Sequence, residues 1–191
     1  MSEPSEPSEP PPPELPSPTS PLPSQLPPST PPLPTPPPPP EIDRATRRAL
    51  AAGLYNHCWT LLEILDRTPE QDAELLHAAH ASRYHWGEIA DTPARLWRGE
   101  WMCARVYSAL GRGEPAVWHA RRALTLVEAG STAAEDWDRP AIYEAMARAS
   151  FVAGDRAAGA EWKARAAELA AGLADADDRE VIERDLATLP G

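Results

Sequence analysis

Positive charge is scarce in this sequence, and the scarcity limits what the protein can bind. The chain has 18 Lys and Arg against 29 Asp and Glu, which gives a formal net charge of −11. A protein that binds nucleic acid needs a basic face for the phosphates. We therefore expect no nucleic-acid partner.

Long apolar runs and cysteines are also scarce. No run approaches the ~20 apolar residues that a transmembrane helix needs, so we expect no membrane partner. The start, MSEPSEPSEP, has neither the basic segment nor the apolar segment of a signal peptide. Cys58 and Cys103 form no CxxC motif, which is typical of buried thiols in a reducing compartment. These features predict a cytoplasmic protein.

The familiar catalytic motifs are missing as well. The chain has no GxSxG, no GxGxxG and no GxxxxGK[ST], so neither a nucleophile elbow nor a phosphate-binding loop is supported. Cys58 follows His57 directly, and adjacent residues on a helix point apart. Cys103 has no obvious histidine partner in the sequence. We expect a protein that is not an enzyme and that has no cofactor.

Proline is concentrated at one end of the chain. Residues 1–40 contain 20 of the 25 prolines and no Lys or Arg. Such a segment cannot bury enough apolar surface to offset the entropy lost on ordering. We predict a disordered proline-rich tail over 1–40 and one folded domain over 41–191. The runs SEPSEPSEP and PPLPTPPPPP favour an extended polyproline II conformation, suited either to binding a proline-recognition domain or to acting as a spacer.

After residue 41 the hydrophobic pattern has a helical period, and no segment alternates as a strand does. Thr68 and Thr92, each followed by proline, are helix start signals, and glycines mark the ends. The pattern predicts seven helices, at about 42–65, 69–89, 93–111, 115–130, 138–154, 155–172 and 177–190, the last capped by Asp177 or Asp178. The short connections predict antiparallel neighbours.

Predicted helices 3–4 and 5–6 repeat one pattern of small residues around Gly111 and Gly154. Small residues stand seven positions before, five after and twelve after each glycine: Ala104 and Ala147, Ala116 and Gly159, Ala123 and Ala166. Small side chains let two helices approach closely, and glycine permits a tight turn between them. The spacing of 43 residues exceeds the 34 of a tetratricopeptide repeat, and the excess fits in the loop 129–138.

This pattern, with Tyr107 four residues before Gly111, resembles the tetratricopeptide repeat over about residues 94–172. The resemblance implies a short α-solenoid of antiparallel helical hairpins that acts as a non-catalytic scaffold for a protein or peptide. The stretches HAAHASRYHW (77–86) and RGEWMCARVYSALGR (98–112) are also similar to a group of uncharacterised bacterial repeat proteins. That likeness supplies no activity.

The stretch HAAHASRYHW lies on predicted helix 2, which has two different faces. One face is a packing stripe formed by Leu75, Ala79, Ser82, Trp86 and Ile89. The opposite face carries Glu70, Glu74, His77, His80, Ala81, Tyr84 and Glu88, with His85 between the two. Semi-polar rings on a second face suit contacts with neighbouring helices, a binding groove or a metal site.

The groove interpretation adds the tryptophans of predicted helix 3. Trp97 and Trp101 are four apart and share a stripe, and Trp and Arg are frequent anchors at interfaces. We predict a groove lined by helices 2, 3 and 5 that holds a peptide through His77, His80, Arg83, Tyr84, Trp97 and Trp101. Four nearby arginines can bind a carboxylate or phosphate, or can pair with acids of the chain itself: Arg83, Arg95, Arg98 and Arg105.

Two alternatives remain open. In the first, Glu74-x-x-His77 and the neighbouring His80, with His85 as a possible fourth ligand, hold a metal ion. A ligand from another helix is then needed, and the candidates are His57, His119, Glu100 and Glu144. In the second, the protein is structural and self-assembles, with an exposed Trp-rich stripe buried in a twofold homodimer.

Overall fold

The computed structural model of the protein describes residues 41–89 and 91–191. In these residues the chain forms seven α-helices and no strand, so the predicted all-α class is confirmed. The helices are α1 (Arg44–Leu62), α2 (Pro69–Ile89), α3 (Ala94–Ala109), α4 (Gly113–Ala129), α5 (Asp138–Val152), α6 (Arg156–Ala171) and α7 (Ala176–Ala187). A short 3₁₀ turn, Ser131–Ala133, precedes α5. The predicted tail, residues 1–40, lies outside the described residues.

Helix α2 begins where the sequence predicts. The Thr68 hydroxyl accepts a hydrogen bond from the backbone N–H of Gln71 at 3.3 Å, and the Gln71 side chain accepts one from the backbone N–H of Thr68 at 2.9 Å. This reciprocal capping box satisfies donors that the first turn leaves unpaired. The start of α2 is therefore encoded in the local sequence.

Two other helix starts differ from the prediction. Helix α3 begins at Ala94 without a side-chain cap, so Thr92 does not cap it. Helix α7 is capped by Asp175, whose carboxylate accepts hydrogen bonds from the backbone N–H groups of the predicted caps, Asp177 and Asp178. Asp175 has the extended backbone that an N-cap requires. The two later aspartates lie in the first turn, where their negative charges interact favourably with the positive end of the helix dipole.

The two anchor glycines make the same turn. Gly111 and Gly154 have positive φ angles of 68° and 86°. After each glycine, a backbone N–H donates to the carbonyl five residues earlier: Arg112 to Tyr107 and Asp155 to Ser150, both at 2.9 Å. This bond is the signature of the Schellman motif, which favours glycine. The turns that end α3 and α5 are therefore equivalent.

The repeated small residues lie where helices pack against each other. All six are buried in the described structure: Ala104, Ala116, Ala123, Ala147, Gly159 and Ala166. At Gly159 an added Cβ would lie 2.8 Å from the ring of Phe151, closer than carbon atoms approach. The prediction that small side chains permit close helix packing is confirmed.

Each helix packs mainly against its neighbours in the chain. The densest pairs are α1 with α2, α3 with α4, and α5 with α6, and α3 also contacts both α1 and α5. Helix α7 packs on α6 and α5. The predicted packing stripe of α2 is confirmed, because every member is buried: Leu75, Ala79, Ser82, Trp86 and Ile89. No helix in this part of the chain has the length and apolar character needed to cross a bilayer.

Alanine at Gly111 or Gly154 should destabilise the protein by about 1–2 kcal/mol, because an L-residue at positive φ brings its Cβ against the backbone. The matched control is Gly53→Ala within α1. An added Cβ there has no neighbour within 4 Å, so this change should stabilise the protein by about 0.5–1 kcal/mol. Urea unfolding followed by circular dichroism measures both effects. Equal effects at all three glycines would contradict the role of the turns.

Candidate functional site

A cleft of about 720 Å³ lies beside α1 and α3, and we call it the α1–α3 cleft. Its aromatic lining comes from three segments: Tyr55 on α1, Trp86 near the end of α2, and Trp137 just before α5. The exposed Asn56 side chain adds an amide to the same wall. The cleft is thus open and combines aromatic rings with the charged side chains of Asp91, Arg95, Arg98 and Glu135.

Helical spacing places the α1 side of this cleft. Ala52, Tyr55 and Asn56 are three and four residues apart, so they share one face of α1. Burial raises the pKa of Tyr55 to about 12. The phenol therefore remains protonated at neutral pH and keeps its hydrogen-bond donor.

A buried ion pair fixes the segment that carries Trp137. Asp138 is 1% exposed, and Arg98 on α3 donates to both of its carboxylate oxygens, at 2.8 and 3.0 Å. The same carboxylate accepts the backbone N–H of Glu135 at 3.0 Å. The Arg98 guanidinium also lies 4.3 Å from the centre of the Trp137 ring. Asp138 therefore orients both Arg98 and one aromatic wall of the cleft.

The second arginine of the cleft is neutralised as well. Arg95 lies over the Trp86 ring at 3.8 Å from its centre, and its Nε is 2.6 Å from the Asp91 carboxylate. Arg48 on α1 donates to Asp91 at 3.0 Å. Asp91 is thus shared by these two arginines, and Glu135 in the cleft lining lies 3.0 Å from Arg98, so each arginine that lines the cleft has a carboxylate partner.

This pairing extends to all four arginines for which the sequence suggested anion capture. Their carboxylate partners lie at 2.6 to 2.9 Å: Arg83 with Glu100, Arg95 with Asp91, Arg98 with Asp138, and Arg105 with Asp185. The structure therefore supports the other interpretation, in which these arginines pair with acids of the chain itself. A buried or half-buried arginine whose charge is already balanced has little left to offer an anionic ligand.

A smaller cleft of about 490 Å³ lies among α1, α3, α5 and α7. Arg105 on α3 binds the Asp185 carboxylate of α7 through two hydrogen bonds, at 2.8 and 2.9 Å. Arg148 on α5 donates to the Thr188 hydroxyl at 2.8 Å. Burial raises the pKa of Glu144 despite the nearby Arg148 and Arg105. Helix α7 is therefore tied by polar contacts to α3 and α5.

These clefts correct the predicted groove in part. The sequence suggested helices 2, 3 and 5, whereas the α1–α3 cleft is lined by α1, the end of α2, α3 and the segment before α5, and the smaller cleft by α1, α3, α5 and α7. The error has a geometric cause: the polar face of α2 contacts α3 and α4 instead. Nε2 of His80 hydrogen-bonds to the Tyr107 hydroxyl at 3.0 Å, and Arg83 donates to Glu100 at 2.9 Å.

Two predicted binding residues, Trp97 and Trp101, are committed to packing. Trp97 is 1% exposed and lies with Ala123, Val127 and Ile142 in the core, so its assignment to a binding surface is wrong. Trp101 is half-buried, and its indole N–H donates to the Ala141 carbonyl at 3.1 Å. Helices α4 and α5 close over this side of α3, which the periodicity of α3 alone does not reveal.

The remaining predicted binding residues on α2 are more open. Tyr84 is 49% exposed and has its edge against the His85 ring, and His77 is exposed. Neither residue lines the α1–α3 cleft. They form a separate, solvent-facing part of α2.

The predicted metal set is not brought together. Glu74 pairs with His57 on α1, at 2.8 Å from its Nε2. Across residues 41–89 and 91–191, the group whose potential ligand atoms converge is His80, Cys103 and His119, all within 4.8 Å of one another. Cys103, which has no obvious histidine partner in the sequence, thus lies beside two histidines in the structure. These residues come from three helices, and no sequence spacing signals their meeting.

A buried carboxylate supports this cluster. Glu100 is 4% exposed, and it accepts hydrogen bonds from Arg83 at 2.9 Å and from Nδ1 of His119 at 2.7 Å. Burial opposes ionisation of Glu100, but His119 and Arg83 outweigh that effect and lower its pKa. The carboxylate therefore stays charged at neutral pH and orients the His119 ring.

The tryptophans do not form an exposed stripe. In the described residues Trp118 on α4 is the one exposed tryptophan, at 55%, and the other six are buried or half-buried. The exposed Trp-rich stripe on which the self-assembling alternative depended is therefore absent from the described residues.

The chain was compared with models of known protein families, with curated proteins and with solved structures, and none of these comparisons found a match. What the protein does must therefore be inferred from its own cleft and side-chain clusters.

Removing the carboxylate of Asp138 should destabilise the protein by roughly 2–3 kcal/mol, because Arg98 then loses its buried partner. The matched control is Glu161→Ala, which breaks the exposed Glu161–Arg165 pair on α6 and should cost less than about 0.5 kcal/mol. Urea unfolding followed by circular dichroism measures both losses. Similar small losses for both variants would contradict the structural role of Asp138.

Proposed function

We propose that this protein is a non-catalytic helical-repeat module that binds an extended peptide in the α1–α3 cleft. The helical pairs α1–α2, α3–α4 and α5–α6, each packed on the next, support a short α-solenoid similar to tetratricopeptide repeats. The equivalent turns at Gly111 and Gly154 support the same arrangement. Cys58 and Cys103 are buried free thiols, which favours a reducing compartment such as the cytoplasm.

The observation that carries this function is an open cleft with aromatic lining from Tyr55 and Trp137, in which the arginines are paired with acids. Tyr55 and Trp137 are half-buried and offer apolar ring surface to the cleft, whereas Trp86 is 8% exposed and lies under Arg95. Aromatic surface of this kind is characteristic of recognition sites. The side-chain amide of Asn56 has both a donor and an acceptor, so it matches the two polar groups of a peptide bond. A chain in extended conformation exposes these groups, whereas a helix satisfies them internally.

The charge balance narrows the type of peptide. Because Arg95 and Arg98 are paired with Asp91 and Asp138, the cleft favours an uncharged segment over an acidic or basic one. Aromatic-lined grooves suit proline-containing segments in the polyproline II conformation, which lose little entropy on binding. The favoured ligand is thus an extended, uncharged peptide with proline or other apolar side chains. Its affinity should depend little on salt.

A random peptide library displayed on phage, selected against the full chain, tests this function. Selected peptides are synthesised, and their affinities are measured by fluorescence polarisation. Trp137→Ala removes an aromatic wall and should weaken binding by about 30-fold, as expected for a tryptophan hot spot. Asn56→Trp fills the cleft from an exposed position and should also abolish binding.

The matched control is Trp118→Ala, which removes an exposed tryptophan of α4 outside the α1–α3 cleft. This variant should bind the selected peptides as the unmodified chain does. Peptides that bind all three variants equally, or a folded protein that selects no peptide, would refute the proposal.

A further inference from the structure

We propose that His80, Cys103 and His119 form a zinc site, which is independent of the α1–α3 cleft. The ligand atoms of these three residues lie within 4.8 Å of one another. In a tetrahedral zinc site, bond lengths of about 2.0–2.3 Å place ligand atoms roughly 3.5 Å apart. His80 is exposed, so a small rotation of its side chain closes this difference without moving the core.

The three ligands come from three different helices, α2, α3 and α4. A metal ion bound to all of them would link the first helical pair to the second. Three protein ligands leave the fourth position of a tetrahedral ion open, and the exposure of His80 gives water access to it. The site thus has both an entry path and a place for a water ligand.

The surroundings of the cluster resemble the outer shell of a metal site. Nδ1 of His119 donates to the buried carboxylate of Glu100 at 2.7 Å, so Nε2 carries the lone pair. A carboxylate in this position orients a ligating histidine and raises its basicity. Arg83 in turn holds Glu100, and the Tyr107 hydroxyl holds Nε2 of His80 at 3.0 Å. The His119 ring is therefore oriented before any ligand binds, whereas the exposed His80 ring turns to reach the ion.

The chemistry of the donors favours zinc. A thiolate and two neutral imidazoles form a mixed sulfur and nitrogen set, which Zn²⁺ accepts in tetrahedral geometry. Burial raises the pKa of the Cys103 thiol far above its usual range, which opposes formation of the thiolate in the metal-free protein. Zinc binding would therefore release the thiol proton to solvent and leave the sulfur as a thiolate ligand.

The charges are compatible with a dication. The Cys103 thiolate and the Glu100 carboxylate supply two negative charges, and the arginines at this carboxylate, Arg83 and Arg122, lie 2.9 and 3.8 Å from it. The other buried cysteine, Cys58, lies among apolar residues of the core with Leu61, Leu75 and Met102. Only one of the two thiols is thus surrounded by further metal ligands in the described part of the chain.

The test uses the purified full chain, stripped with a chelator and kept under a non-thiol reductant. Zn²⁺ is titrated in competition with a chromophoric chelator, and Co²⁺ is added separately as a spectroscopic probe. The expected result is one Zn²⁺ per chain and a near-ultraviolet charge-transfer band between cobalt and thiolate. Cys103→Ala should remove the band, and Cys103→Ala and His80→Gln should each weaken Zn²⁺ binding by about 100-fold or more.

Two matched controls separate this site from adventitious binding. Cys58→Ala removes the other buried thiol, and His77→Gln removes an exposed histidine one turn from His80; both should bind Zn²⁺ as the unmodified chain does. Glu100→Gln, checked for folding by circular dichroism, should weaken binding by about 10- to 100-fold. The site is refuted if the folded chain shows no thiolate band with Co²⁺, or if Cys103→Ala binds Zn²⁺ unchanged. Equal losses in the controls would equally refute it.

Discussion

The burial of Glu100 is the constraint on which the packing of α2, α3 and α4 depends. A carboxylate that is 4% exposed is tolerated only with charged or hydrogen-bonded partners. Arg83 supplies one partner from α2, and His119 supplies the other from α4. Gly99 makes room for this contact, because an added Cβ there would lie 2.5 Å from Cδ of Arg83. Glu100 on α3 therefore holds α3 against both α2 and α4, and it orients the ring of His119.

The same principle operates twice more, on α5. Asp138 and Glu144 are each 1% exposed, and their arginine partners reach them from α3 and from α5 itself. These pairs use the guanidinium groups that line the clefts, so the clefts keep aromatic surface but little net charge. The selectivity for an uncharged peptide that we propose rests on this internal pairing. A buried pair costs much more to break than an exposed pair, so the walls of the cleft are also rigidly held.

Local features of the fold were predictable because their causes are local. The capping box of Thr68 and Gln71, and the turns at Gly111 and Gly154, depend on residues within one helical turn. The buried stripe of α2 follows from periodicity alone. The candidate site residues could not be predicted in this way. Trp97 lies in the core, and Cys103 lies beside two histidines. Their neighbours are distant in sequence, and single-helix periodicity carries no information about which helix covers a face.

The sequence by itself determined the all-α class, most helix ends, and the small residues where helices approach closely, because propensity, capping and side-chain volume act over short ranges. Only the tertiary structure decided which polar groups meet. It paired the arginines with internal acids, opened the cleft between α1 and α3, and joined His80, Cys103 and His119 from three helices. The physical reason is that buried charge and buried sulfur take their partners from whichever helix packs beside them, and that choice is made by the whole core.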